Sequence, residues 1–306
     1  RGKVVDEIGS YFGMRTVGMK KIDGVMRPTL NGEFVFHIGL LDQGYWPDGI
    51  FTAPTDEALR YDIELAKRAG FNVIRKHIKV EPQRWYYHCD RLGMIVWQDM
   101  VNGGTYNAPF MTWLPALFPK FKLHTSDRIH PLFGRKNVHG REEFIRECKE
   151  TVTALKAFPC ISTWVIFNEG WGQFDSKKLT ALFRELDDTR LIDSASGWFD
   201  RRQGDFKSEH NYFAKQFVTP SDRAFVISEY GGYTCQVKGH TCSGKTYGYK
   251  ICSSQEEFQA AYHKLMSEEI DPLKEQGLCG AVYTQLSDIE DEINGLITYD
   301  REVCKL

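Results

Sequence analysis

The feature that most constrains this chain is an alternation. Short apolar, β-rich runs recur along it, and most are followed by a stretch with helical spacing. Phe34–Gly39 reads as the first strand, and Pro54-Thr55-Asp56 opens a helix that runs to Gly70. Phe71–Ile74 is the second strand, before a helix that begins at Pro82 and ends near Gly93. Met94–Trp97 is the third, followed by a long loop and a helix from about Arg141 to Ala157. Ile161–Phe167 is the fourth, with a helix around Ser176–Leu186. Leu191–Asp193, Ser208–His210, Ala224–Ser228 and Gly280–Thr284 bring the strands to eight, and Ser254–Gly277 has helix-like spacing before the last. Strands alternating with helices imply βαβ units and a parallel sheet, and eight of them predict an α/β (β/α)8 TIM barrel. The alternative, an open doubly wound sheet, would usually bring a glycine-rich phosphate turn after its first strand. Gly39-Leu40-Leu41-Asp42 is not such a turn.

Composition excludes several classes. The 306 residues can be filled by one barrel. Lys and Arg number 39 against 41 Asp and Glu, a net charge of −2, so no global field draws nucleic acid or an anionic membrane. No apolar run approaches the ~18–20 residues of a membrane-spanning helix, and no signal peptide opens the chain. Aromatic residues make up 13%, which suits a ring-binding pocket as well as a large core. A start at Arg1 suggests a piece of a longer chain, which leaves the compartment open; a periplasmic or secreted setting is favoured over the cytoplasm. Of eight cysteines, Cys235, Cys242 and Cys252 cluster with His240 at spacings without the tight pair of a zinc site. No metal is expected there, and a disulfide within the cluster stays open.

In a barrel of this type the catalytic groups stand at the carboxyl ends of the strands. The first strand runs into His37 and then Asp42-Gln43-Gly44-Tyr45-Trp46; the second ends in Arg75-Lys76-His77 and the third in Gln98-Asp99. The fourth leads to Asn168-Glu169-Gly170-Trp171, the fifth to Ser196-Gly197-Trp198, and the sixth holds His210 and Tyr212. The seventh ends in Glu229-Tyr230, and the eighth gives Gln285 and Asp288. Solvated loops are polar too, but a carboxylate one residue after Trp164-Val165-Ile166-Phe167, and another directly after Ala224-Phe225-Val226-Ile227-Ser228, is not a loop pattern. Two opposed glutamates suit glycoside hydrolysis, where one must be a neutral acid near pH 7 and the other an ionised partner. Trp, Tyr, His and Asn around them suit a sugar, with its apolar faces and hydroxyl edges. Carbohydrate is therefore the expected partner.

Val73-Ile74-Arg75-Lys76-His77, Trp85 to Met94 and Trp97-Gln98-Asp99 resemble the catalytic barrel of glycoside hydrolase family 2, which includes β-galactosidases, β-glucuronidases and β-mannosidases. Phe167-Asn168-Glu169-Gly170-Trp171-Gly172-Gln173 is similar to its acid/base motif, and Ile227-Ser228-Glu229-Tyr230-Gly231-Gly232 to its nucleophile motif. The resemblance runs from about Tyr11 to Arg301. It implies retaining hydrolysis of a terminal β-glycoside without a cofactor: Glu229 attacks the anomeric carbon while Glu169 protonates the departing oxygen, then activates water. By the same resemblance Asn168 would bond the sugar 2-hydroxyl, Tyr212 would hold the nucleophile, and Arg75 would lie beneath Glu229 and keep it ionised. His77, Asp99 and His210 would contact hydroxyls or orient groups that do; Trp171, Trp198 and Gln285 complete the candidate set. His77 and His210 could instead be satisfied core histidines, and Arg75 a structural ion pair. Family members usually carry β-sandwich domains ahead of the barrel. Residues 1–30 are thus expected to be the exit strand or linker from one, and residues 31–306 the barrel.

Departures from the family pattern bear on substrate. The segment after the third strand, Gln98 to Thr105, lacks the Glu and His that hold magnesium in β-galactosidases, so no metal is carried over. Where β-glucuronidases place Asn-x-Lys to bind the uronate, this chain has Glu292-Ile293-Asn294 beside Asp291, which disfavours a uronate. Tyr283-Thr284-Gln285 stands where members often present a Trp. A neutral β-galactoside is the first expectation, with β-mannoside or β-glucoside next. A non-catalytic sugar-binding barrel and an inverting glycosidase are the competing readings, the latter with carboxyls ~6.5–9.5 Å apart.

Overall fold

The computed structural model describes residues 2–107, 109–113, 115, 126–242 and 244–306. A sheet of eight parallel strands forms the centre: β1 His37–Asp42, β2 Val73–Lys76, β3 Ile95–Asp99, β4 Ile161–Val165, β5 Leu191–Asp193, β6 Phe206–Asn211, β7 Ala224–Gly231 and β8 Leu278–Thr284. Their hydrogen-bonded order, β5-β4-β3-β2-β1-β8-β7-β6, is that of a barrel opened at one seam. The seam between β5 and β6 is bridged without a ladder. Ser208 Oγ donates to Asp193 Oδ2 at 2.5 Å, and the Asp205 amide to the Ile192 carbonyl at 2.8 Å. β5 is only three residues long, too short to pair on both sides.

Helices α1 Asp56–Arg68, α2 Gln83–Leu92, α3 Val138–Leu155, α4 Ser176–Leu186, α5 Gln255–Leu265 and α6 Asp271–Glu275 pack outside, with a π-turn, Met266–Ile270, joining the last two. Local chemistry sets their ends. Thr55 Oγ1 accepts from the Ala58 amide, Asp56 and Glu57 occupy the first turn of α1, and Lys67 and Arg68 the last, matching the helix dipole. α2 stops at Gly93, which takes φ +66. β5 and β6 are followed by loops rather than helices.

Strand alternation sorts side chains into two compartments. Leu40, Ile74, Val96, Trp164, Ile192, Phe225, Ile227 and Ala281 face the helices in the main core. Leu41, Val73, Trp97, Val165, Leu191, Phe206, Val226 and Val282 point into the barrel. The floor is capped by an antiparallel sheet of Val17–Ile22, Val25–Leu30 and Glu33–Phe34, whose Val17, Met19 and Val25 pack against the inner cluster. Arg15 donates from there to the carbonyls of Pro159 and Ile161.

His37 belongs to this lower end. The sequence reading set it beside the catalytic groups because it took the strand to begin at Phe34. The strand begins at His37, and His37 Nδ1 accepts from Trp97 Nε1 at 3.1 Å, deep on the floor side. Cys235 and Cys252 are buried, registered neighbours in a small parallel sheet of Tyr233–Cys235 and Lys250–Cys252; both are free thiols, and Cys242 is exposed. No helix among the described residues is long and apolar enough to cross a membrane.

Candidate active site

At the carboxyl end of the barrel lies a cavity of about 500 Å³, with Glu169 and Glu229 in its wall. Two local distortions aim them. In β7 the pairing with β6 slips between Ile227 and Glu229, so Ser228 is an extra residue and Glu229 lies opposite His210. Such a bulge re-aims the side chain that follows it. Glu169 follows β4 with φ +53, a conformation costly for a non-glycine residue. It is held there by the hydrogen bond its amide donates to the Ser196 carbonyl at 2.9 Å, and by the turn in which the Trp171 amide donates to the Asn168 carbonyl. Gly170 beside it has φ +72, and a Cβ there would lie 2.3 Å from the Phe199 ring.

Arg75 organises the floor of the cavity. Its side chain is fully buried; Nε and Nη2 bind both oxygens of Asp99 at 3.0 Å, and Nη1 donates to Glu229 Oε1 at 3.0 Å. Nη2 also donates to Asn168 Oδ1 at 2.7 Å, which turns the Asn168 amide hydrogens towards the cavity. Tyr212 donates its hydroxyl to Glu229 Oε2, so both oxygens of that carboxylate are held. His77 Nδ1 lies 2.9 Å from Asp99 Oδ2. Burial alone would raise the Asp99 pKa, but Arg75 and His77 hold it below the usual carboxylate range.

Glu169 differs. Burial raises its pKa to about 7, against weaker opposing fields from His77 and Arg75, while 26% of its side chain stays open to the cavity. Its Oε1 lies 2.9 Å from His210 Nδ1. One oxygen of Glu169, one of Glu229 and one nitrogen of His210 all lie within 4.8 Å of one another. That trio has the donor types of a metal site, but the guanidinium of Arg75 already supplies a cation at Glu229 Oε1. A second such group, His240, Asp300 and Glu302, is partly to fully exposed.

Asn168, Glu169, His77, Trp198, His210, Tyr212 and Glu229 reach the cavity wall. Arg75 and Asp99 lie beneath it. Gln285 is buried behind it, donating to Glu292 Oε2 at 3.0 Å and Asn294 Oδ1 at 2.8 Å. Trp171 stands outside, its Nε1 on the Gly104 carbonyl and its ring edge-on to Tyr106. The sequence reading did not include Tyr106, Trp113, Phe213, Tyr247 or Tyr249, which also line the cavity. Tyr249 stacks on Tyr212 with centroids 3.8 Å apart. These rings come from long loops rather than strand ends; the aromatic pair Tyr247-Gly248-Tyr249 was the available signal. Glu292 enters the wall as well, its Oε2 accepting from Gln43 and Gln285, and burial raises its pKa.

A family described as glycosyl hydrolases family 2, TIM barrel domain, matches residues 52–304. A protein of Formosa agariphila named "Putative beta-glucuronidase" is 28% identical over 200 residues, 64% of this chain and 16% of that protein. The crystal structure of a family 2 β-galacturonidase from Eisenbergiella tayi, bound to galacturonate, aligns with a TM-score of 0.67 at 16% identity, covering 96% of this chain and 53% of the other. A Parabacteroides merdae β-glucuronidase aligns at 0.65 and 16% identity, covering 96% and 38%. At such identities the solved structures share the fold, and this chain spans about half their length or less.

Proposed function

Because this chain belongs to glycosyl hydrolase family 2, we propose that it is the catalytic barrel of a retaining, exo-acting β-glycosidase. The observation that carries this reading is the approach of the two glutamates to within 4.8 Å, in unlike surroundings. Retaining enzymes hold their carboxyl groups ~5–5.5 Å apart, and inverting ones leave room for a water between them. Glu229, gripped by Arg75 and Tyr212 on its two oxygens, is the nucleophile that forms the glycosyl-enzyme bond. Glu169, with a pKa raised by burial, is the acid that protonates the leaving oxygen and then the base that takes a proton from water. The amide hydrogens of Asn168 are aimed at a sugar hydroxyl, and His77, fixed by Asp99, offers its other ring nitrogen to the cavity.

The sugar is neutral in this reading, a β-galactoside first, with β-mannoside and β-glucoside as the nearest alternatives. The relatives described above are named for uronides, but Glu292 puts a carboxyl in the wall, and the described lining residues include no Lys or Arg. A uronate there would meet like charge without a cation. We read residues 1–30 as the approach from a further domain. A panel of nitrophenyl β-glycosides on the full-length protein tests the reading. Neutral glycosides should be hydrolysed with the β-anomer formed first, and the glucuronide at least about tenfold more slowly, the cost of one uncompensated like-charge contact. An α-anomer formed first would overturn retention, and a preferred glucuronide would overturn the choice of sugar.

A further inference from the structure

One imidazole touches both glutamates and the arginine beneath them. The His210 side chain is fully buried on β6. Its Nδ1 lies 2.9 Å from Glu169 Oε1. Its Nε2 lies 3.2 Å from Ser196 Oγ, 3.4 Å from Arg75 Nη1 and 3.5 Å from Glu229 Oε1. Trp198 packs edge-on against the ring, and behind it Ser196 donates its hydroxyl to Ser228 Oγ at 2.8 Å. Asp99 and His77 are the remaining charged or titratable groups that act on it. Burial pushes the His210 pKa down to about 3, so the ring is neutral, with a hydrogen on one nitrogen only.

The surroundings decide which nitrogen. Arg75 has only hydrogens to offer and is anchored through both oxygens of Asp99, so it cannot turn away. A hydrogen on Nε2 would face that guanidinium. A lone pair there faces a cation 3.4 Å away. Glu229 Oε1 is already served by Arg75 at 3.0 Å, closer than the ring. The hydrogen therefore belongs on Nδ1, pointing at Glu169 Oε1.

We propose that His210 is a positioning residue that, by donating from Nδ1 to Oε1 of Glu169, fixes the acid proton on Oε2, the other carboxyl oxygen. This rests on the assignment of Glu169 as acid/base. Oε2 has no hydrogen-bond partner among the described residues, so its proton is free to move. In the first step the Oε2–H bond breaks as the proton joins the leaving oxygen. In the second, a proton from water returns to Oε2. His210 gives up no proton in either step; its N–H steadies the carboxylate between them.

The test has two arms, both on the full-length protein. Nitrogen-15 NMR of labelled histidines, with His210 assigned from the spectrum of His210→Asn, should show hydrogen on Nδ1; hydrogen on Nε2, or an imidazolium near pH 6, would overturn the proposal. In kinetics, His210→Leu should lower kcat/KM for an alkyl glycoside by about 10–100-fold, part of the ~10²–10⁴ typical of general acid help. It should leave a dinitrophenyl glycoside within about threefold, since that leaving group needs no proton. The alkaline limb should move to higher pH, because a donor to the charged form is gone. His210→Asn, whose amide can take the place of Nδ1–H, should recover most of the loss. Equal losses on both substrates with an unmoved alkaline limb would overturn the proposal. Absence of any glycosidase activity would instead sink the assignment of Glu169, and the NMR arm would still report the tautomer.

Discussion

The floor and the mouth of this barrel are built from the same strands, with the same side-chain parity, and they do opposite things. On β2 the inward position changes from Val73 to Arg75, on β3 from Trp97 to Asp99, on β6 from Phe206 through Ser208 to His210, and on β7 from Val226 to Ser228. Each change takes one or two inward-facing steps along the strand. Below it, fully buried Trp97, Val73 and Val226 fill the barrel as any apolar core does. Above it, Arg75 is equally buried but holds Asp99, Glu229 and Asn168. Burying such an ion network costs desolvation that its internal attractions repay only when every partner is present. The floor thus contributes stability, while the mouth gives up some of it for groups fixed in reactive positions.

The largest test of this contrast removes the proposed nucleophile. Glu229→Gln should cost on the order of 10⁴-fold or more in kcat on every substrate, because no covalent intermediate can form. Its amide oxygen can still accept from Arg75, and Asp99 still pairs the guanidinium through both oxygens, so thermal unfolding should move little; a large drop in Tm would mean that the mouth is also a stability element. Glu169→Ala should follow, with ~10²–10⁴ lost on substrates that need protonation. A dinitrophenyl glycoside should still give a burst of phenolate. Added azide should speed turnover and yield a β-glycosyl azide; an α-product, or equal loss on all substrates, would reverse the roles of the two residues.

The floor should fail differently. Trp97→Ala removes a fully buried ring and should cost about 3–5 kcal/mol of stability. Folded molecules should keep nearly all their kcat. If urea titration finds the loss but turnover per folded molecule also collapses, the two ends are coupled and the contrast breaks.

Much of this division is legible in the sequence, and its limits have physical causes. The eight strands and their order follow from short β-rich runs, and the two glutamates stand out because each ends an apolar run. Parity alone does not say which way a strand points or where it starts. His37 was therefore read towards the wrong end, since Phe34-Val35-Phe36 continues the apolar run into the capping sheet. The bulge at Ser228 has no local signature, and without it Glu229 would not lie opposite His210. The aromatic wall is brought in by long loops, whose path depends on tertiary contacts such as Tyr249 on Tyr212. Trp171, next to Glu169 in sequence, turns outside because φ is positive at both Glu169 and Gly170.

The pH dependence sharpens the contrast within one experiment. At the mouth, burial raises the Glu169 pKa to about 7, so the protonated acid is lost as pH rises through that value. kcat/KM for an alkyl glycoside should then fall about tenfold per unit above it, while a dinitrophenyl glycoside should show a much weaker alkaline limb. An alkaline limb near the ordinary carboxylate range would contradict the burial of Glu169.

The smallest expected effect belongs to the floor. His37 is buried with its Nδ1 on Trp97 Nε1, and burial lowers its pKa from 6.5 to about 4. A folded-state pKa below the unfolded one means that the native protein prefers the neutral ring. This contribution is present above pH 6.5 and is lost as pH falls towards 4, because the unfolded chain takes up a proton that the folded one refuses. His37→Asn keeps an acceptor for the Trp97 indole but cannot be protonated. At pH 7.5 the variant should be less stable than the parent or equal to it, since it loses ring packing. Between pH 7.5 and 5.5 the difference should shift in the variant's favour by roughly 1 kcal/mol, the linkage expected for one histidine of this kind. Activity per folded molecule should not change, because His37 lies at the opposite end from the carboxylates. A stability difference that stays flat across this range would mean that His37 titrates normally and that the floor is open to water.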